Sequence, residues 1–219
     1  MALPSGDAQL VQIMDAALAD AARRAGSWLV CREGCTPCCH GAFIINALDV
    51  ERLRAGMTTL RATDPSLAET LAQRGRAWIA EYGPAFPGDR DTGAIGDSEE
   101  DRQAFEEFAN EAACPALDPA TGRCDVYAWR PMTCRVFGPP VRMGEGEALG
   151  CCELCFHGAS EAEIASCEMT VPHELEERLL AELDDASPSA RETLVAYALL
   201  SPVPHATTPP CDKAPCPAR

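Results

Sequence analysis

Lysine is almost missing from this chain. Lys213 is the only one, and with arginine the basic residues number 18 against 34 acidic, a net charge of −16. Proteins that hold nucleic acid neutralise its phosphates with a dense arginine and lysine surface, so no nucleic-acid partner is expected. Long apolar runs are missing as well. Asp7, Gln9, Gln12, Asp15 and Asp20 interrupt the apolar positions near the start, with no basic segment ahead of them, and no secretory leader is expected. No later segment stays apolar long enough to span a bilayer, so no membrane partner is expected and the predicted location is the cytoplasm. Internal repeats are absent. So is any constellation for hydrolytic or nucleophilic chemistry: the acidic runs at Glu99, Glu100 and Asp101 and at 174–177 read as solvated helix faces.

Cysteine is abundant by contrast. Ten of the 13 fall in three tight groups: Cys31, Cys35, Cys38 and Cys39; Cys114, Cys124 and Cys134; and Cys151, Cys152 and Cys155. At 219 residues the chain can bury a core without cross-links, so stability alone does not explain them. A reducing cytosol keeps thiols free, and the odd total fits poorly with complete pairing, so metal ligation is the preferred reading over disulfides.

The spacing carries further information. Cys35 and Cys38 form a C-x-x-C knuckle, a spacing that lets two sulfurs reach one tetrahedral ion from a tight turn. Cys39 follows directly, and adjacent side chains ordinarily point apart, so the doublet predicts two ions or a multinuclear cluster. In the second group the turn at Asp118, Pro119, Ala120, Thr121 and Gly122 predicts a short hairpin folding Cys114 and Cys124 towards each other. Arg130 and Pro131 end that segment and begin the piece that presents Cys134. Ten thiols exceed the four that one tetrahedral ion uses. His40 and His157 flank the groups as candidate imidazole ligands, although such residues are also common in loops. Each ligating thiolate adds negative charge, and Arg130 and Arg135, which bracket Cys134, either offset it or pair with surface acids.

Elsewhere the pattern is helical. Leu10, Ile13, Met14, Ala17, Leu18 and Ala21 make one stripe, with Asp7 placed to cap it. After a possible short strand over 42–45, Val50, Leu53, Met57 and Leu60 mark a second helix. Asp64 and Pro65 open a third, through Leu67, Leu71, Trp78 and Tyr82, the last two read as core. The Gly- and Pro-rich stretch 83–97 predicts a surface loop. Ser98 with Asp101 resembles a capping box for a helix bearing Phe105, Phe108 and Ala112 that delivers Cys114. Leu175, Leu179 and Leu183 mark another helix, with His173 solvated at its start. Ser187 and Pro188 open a last helix, carrying Leu194 and Ala198. Six prolines over 201–219 predict a disordered tail holding His205, Cys211 and Cys216. The expected organisation is a single metal-binding domain over 1–200, mainly α, with a helical scaffold around cysteine-rich loops.

Three blocks bear a resemblance: Cys35-Thr36-Pro37-Cys38-Cys39; Cys114-Pro115-Ala116-Leu117; and Gly122 through Tyr127 followed by Arg130-Pro131-Met132-Thr133-Cys134-Arg135-Val136-Phe137. Together they resemble the CxxCxxCC cysteine-cluster family, described as zinc- or iron-chelating, some members of which carry a flagellin lysine methylase label. Cys151 and Cys155 resemble a late pair in the same family. Cys31, four positions before Cys35, and Cys152, which makes the pair a trio, depart from that pattern. The resemblance implies zinc or iron as the cofactor, an iron–sulfur cluster included, with the ten grouped cysteines as candidate ligands. A different class shares one spacing: Cys31, Cys35 and Cys38 match the C-x3-C-x2-C with which radical S-adenosylmethionine enzymes hold three irons of a four-iron cluster. There the motif follows a strand and carries an aromatic residue where Pro37 stands, whereas here a helix precedes it.

Overall fold

The structure, a computed structural model, describes residues 3–96, 98–142, 149–186 and 192–200. The proline-rich stretch 201–219, with His205, Cys211 and Cys216, lies outside them, as do Ser187 and Pro188. Among the described residues no helix is long and apolar enough to cross a membrane.

The chain is mainly α. Its helices are α1 (Asp7–Ala25), α2 (Ala47–Thr63), α3 (Pro65–Tyr82), α4 (Glu99–Glu106), α5 (Met132–Val136), α6 (Glu161–Ser166), α7 (His173–Ala186) and α8 (Val195–Leu200). Two short strands, β1 (Ile44–Ile45) and β2 (Thr193–Leu194), pair antiparallel, Ile44 opposite Leu194. Leu194 therefore lies in a strand, and the last helix begins one residue later, because the partner strand 150 residues away claims its backbone.

Apolar stripes explain the packing. Val50, Leu53, Met57 and Leu60 of α2 meet Ala68 and Leu71 of α3 and Val195, Ala198 and Leu199 of α8. Leu10, Met14 and Ala21 of α1 meet Leu179 and Leu183 of α7, with Leu48 and Met132 between. Trp78 is core, as its spacing predicts, its ring centroid 6.0 Å from that of Phe108 and 5.0 Å from that of Tyr82. The predicted caps at Asp64 and Ser98 are present: their side-chain oxygens accept from the amides of Leu67 and Asp101. α4 ends at Glu106, short of the expected helix, and Phe108 and Ala112 reach the aromatic cluster from the turns that follow.

Asp7 does not cap α1. Gly6 stands at that position, and the buried Asp7 carboxylate accepts from Arg52 Nε at 2.7 Å. Arg52 also donates to Asp49 Oδ1 at 2.5 Å, so one buried guanidinium ties α1 to α2. Asn46 caps α2 by accepting from the Asp49 amide, and its Nδ2 donates to Glu176 Oε1 at 2.8 Å, which removes Glu176 from the solvated face expected for it.

Candidate metal centre

The first cysteine loop is shaped by Pro37, which opens a single 3-10 turn, Pro37–Cys39. Beyond it the backbone pairs with the strand-like approach to the second group. Cys114 N donates to Cys39 O at 2.8 Å, and Gly41 N donates to Ala112 O at 2.9 Å. The predicted hairpin forms where Leu117 bridges Cys124, with Asp118 Oδ1 accepting from the Ala120 amide in the turn. Gly122, with φ +69°, turns against Gly34 and Thr36, where a Cβ would come within 3.2 Å of both. Arg123 pairs with Glu33 alongside.

Two charged networks anchor this unit to the helices. Arg74 of α3 donates to Leu117 O and to Asp125 Oδ2, each at 2.5 Å, clamping both arms of the hairpin. Asp49 of α2 accepts from the Met132 amide at 2.9 Å, satisfying an open donor at the start of α5, the helix that carries Cys134. Cys114 and Cys124 rest on the α2–α3–α8 core.

The late group lies elsewhere. Cys155 is buried with Ala25, Phe156 and Cys167, and Cys152 packs against them. Phe156 N donates to Trp28 O at 3.0 Å, which brings this loop to the end of α1. As a result Cys31 Sγ and Cys155 Sγ, 124 residues apart in sequence, stand 3.9 Å from each other. Gly138 completes the arrangement. Its carbonyl accepts from Cys152 N, its φ is +117°, and a Cβ there would lie 3.1 Å from Cys31 Sγ. Sequence reasoning missed Gly138, Arg74 and Asp49, since each acts on a cysteine distant in the chain.

The sulfurs' strongest mutual effects follow the same division. Burial and the neighbouring Cys155, then Cys152 and Cys35, push the Cys31 thiol up to about 12. Burial also raises Cys152, with Cys155 and Cys35 adding to it, while exposed Cys151 is raised by burial and by Cys155. In the other region burial pushes Cys114 up to about 12, and burial together with Cys114 and Cys124 raises Cys134. Cys38 and Cys39 act on one another: the neighbouring Cys39, with burial, raises Cys38, and the neighbouring Cys38 lowers Cys39. Arg130 opposes the rise at Cys38 and Cys124, and Arg74 at Cys114 and Cys124.

Arg130 and Arg135 combine both readings. Arg135 donates to Asp15 at 2.5 Å and to Ala128 O at 3.0 Å, bracing the loop, and Arg130 stands 3.6 Å from the same carboxylate. Arg130 also lies over the Tyr127 ring, 4.1 Å from its centroid, within electrostatic reach of the thiols. His40 turns Nδ1 to Thr36 O at 3.0 Å and is exposed, as are His157 and His173. Cys167, which sequence reasoning left unassigned, is buried as a small apolar side chain.

Do these residues suit a thiophilic ion? Among the described residues no three cysteine, histidine or carboxylate side chains stand at one point in position to hold an ion, so side chains in either region must rotate to close on one. The donor chemistry nevertheless fits. The eleven cysteines described are free thiols, and buried neutral thiols drawn towards one another become good neighbours once a cation replaces their protons. The 3.9 Å between Cys31 and Cys155 matches the separation of about 3.8 Å for two sulfurs on a tetrahedral ion with bonds of about 2.3 Å.

No curated protein and no solved structure matches the chain. A family model does: the CxxCxxCC model, described as a putative zinc- or iron-chelating domain, matches residues 30–153, more than half of the sequence and the whole span from the first cysteine loop into the third. The backbone pairing that joins these loops thus falls within a segment of known pattern, and the chain belongs to the CxxCxxCC family.

Proposed function

We propose that this protein holds zinc or iron as thiolate complexes of its grouped cysteines, Cys31, Cys35, Cys38, Cys39, Cys114, Cys124, Cys134, Cys151, Cys152 and Cys155 being the candidate ligands. One observation carries the reading: Cys31 and Cys155, from opposite ends of the cysteine region, meet at a sulfur–sulfur distance suited to a shared ion. The bound ion supplies a positive charge that keeps the thiols deprotonated and ties the loops together. The protein's own residues do the rest. Asp49 and Arg74 hold Cys134 and the hairpin to the helices, and Arg74 and Arg130 offset thiolate charge.

Iron in an iron–sulfur cluster is the finer alternative within this reading, since cysteine thiolates hold such clusters too. The radical S-adenosylmethionine arrangement has less support. It needs Cys31, Cys35 and Cys38 on one cluster, whereas Cys31 meets Cys155, a sulfur outside that motif. The strongly negative net charge supports a protein that does not engage nucleic acid.

The test is metal analysis with a visible spectrum on protein purified without air. Bound zinc with no colour, or iron with charge-transfer bands that bleach under dithionite, supports the reading and names the metal. Replacing Cys38 or Cys134 with serine is expected to lower metal content, while Cys211→Ser leaves it unchanged. Metal-free protein with its cysteines joined as cystines overturns the reading.

A further inference from the structure

We infer that the thiols form two separate metal centres, one built on Cys31, Cys152 and Cys155 and the other drawing its ligands from Cys38, Cys39, Cys114, Cys124 and Cys134. This rests on the metal-holding reading above and deepens it.

Three observations support the partition. The sulfurs sit on different parts of the scaffold. Cys114 and Cys124 pack on the α2–α3–α8 core, whereas Cys152 and Cys155 pack with Ala25, Phe156 and Cys167 near the end of α1. Their backbone ties divide in the same way. Cys39 is paired with Cys114 and Leu117 with Cys124, while Cys152 bonds to Gly138 and Cys155 to Cys152. Gly138 lies between Cys31 and Cys152, leaving room for the sulfur of one, which a Cβ would approach to 3.1 Å, and accepting from the amide of the other, so it belongs to the first centre only.

The third observation is electrostatic. Four thiolates around one divalent ion carry a net charge of about −2, which must be offset or hydrated. The first centre includes exposed Cys31, so water is at hand. The second is more enclosed and has fixed cations: Arg74 beside Cys114 and Cys124, and Arg130 beside Cys38 and Cys124. Arg130 is itself 9% exposed, and its Nε is buried with no hydrogen-bond partner, a spare donor beside sulfur acceptors. A metal-bound thiolate is the acceptor such a group lacks. Five sulfurs are available to this centre and a tetrahedral ion takes four, so one of the five is not a ligand.

Native mass spectrometry of the full chain purified without air, combined with residue-by-residue alkylation by iodoacetamide, tests the partition. The wild-type protein is expected to carry two centres. Cys155→Ser should lose one and expose Cys31 and Cys152 to alkylation about tenfold faster, leaving Cys114, Cys124 and Cys134 protected. Cys134→Ser should do the reverse. Should a variant fail to fold, limiting chelator added to the wild-type protein gives the same information, with the two sets losing protection in separate phases. Loss of protection at both sets together overturns the partition while leaving the metal-holding reading intact. A metal-free wild-type protein overturns both.

Discussion

In the α2–α3–α8 unit Leu53, Leu71 and Leu199 are 0% exposed and meet other apolar side chains, whereas the loops 31–39 and 151–155 are tied to their surroundings by a few backbone hydrogen bonds. Burial of apolar surface accounts for the first region without help, since each fully buried leucine stabilises by about 1.5–3 kcal/mol. The loops have little of it beyond the small cluster of Ala25, Cys155, Phe156 and Cys167. Their inward groups are thiols whose mutual approach is unfavourable as anions and gains little while they stay protonated, so an ion is the natural partner that closes them. The contrast teaches that one chain can combine a helical scaffold held by apolar burial with loops whose inward groups are thiols, and it makes the two separable by experiment.

The largest effect is expected from removing the metal. Chelator should open loops 31–39 and 149–158 to protease while the helical circular dichroism signal stays near its starting value. Collapse of the helical signal at the same chelator concentration would show that the scaffold is not self-sufficient. Leu53→Ala should act from the other side. It is expected to cost about 2–5 kcal/mol in denaturant unfolding, and that cost should be the same with and without metal. An effect confined to metal-loaded protein would break the comparison.

Asp49 joins the two regions and its variants should show both kinds of effect. Burial pushes its carboxyl up to about 6, against the pull of Arg52 and the Met132 amide. Asp49→Ala leaves that amide without its acceptor and Arg52 with Asp7 as its remaining partner, for a loss of about 2–3 kcal/mol. Metal retention should weaken at the Cys134 centre while Cys31 and Cys155 stay protected from alkylation. Unchanged stability with unchanged metal content would show that Asp49 positions nothing. The smallest effect is predicted for Gly138→Ala. The positive φ costs about 1 kcal/mol or more in an alanine, and the added Cβ crowds Cys31 Sγ. Metal affinity should fall at the Cys31 centre alone, read by competition with a chelating dye.

Much of the scaffold was legible because its signals are local. The stripe at Val50, Leu53, Met57 and Leu60 repeats at helical spacing, and Asp64 followed by Pro65 announces a helix start, so each element could be placed from its own residues. Asp7 shows where local reading stops. Beside an amphipathic run it has the form of a cap, but Arg52 lies 45 residues away and nothing near Asp7 marks that pairing. Leu194 carries the same lesson, since a helical stripe through it cannot reveal that Ile44 is its strand partner.

The cysteines were legible as a set of candidate ligands and as a family pattern, but their grouping was not. Spacing alone associates Cys35 with Cys38 and parts Cys38 from Cys39. Pro37 sets a 3-10 turn over Pro37–Cys39, and the sulfur that Cys31 meets comes from the distant third group, Cys155. The direction in which a turn aims its side chains depends on what packs around it, here the hairpin at Gly122 and the backbone of Cys114. Gly138 left no signal for a related reason. One glycine among 16 is marked only by the sulfur it approaches.

X-ray absorption at the edge of the copurifying metal tests most directly whether cysteine sulfur holds the ion. If it does, the nearest shell should contain about four sulfur neighbours at about 2.3 Å. A shell of oxygen and nitrogen alone, or protein with no metal edge above background, would contradict it.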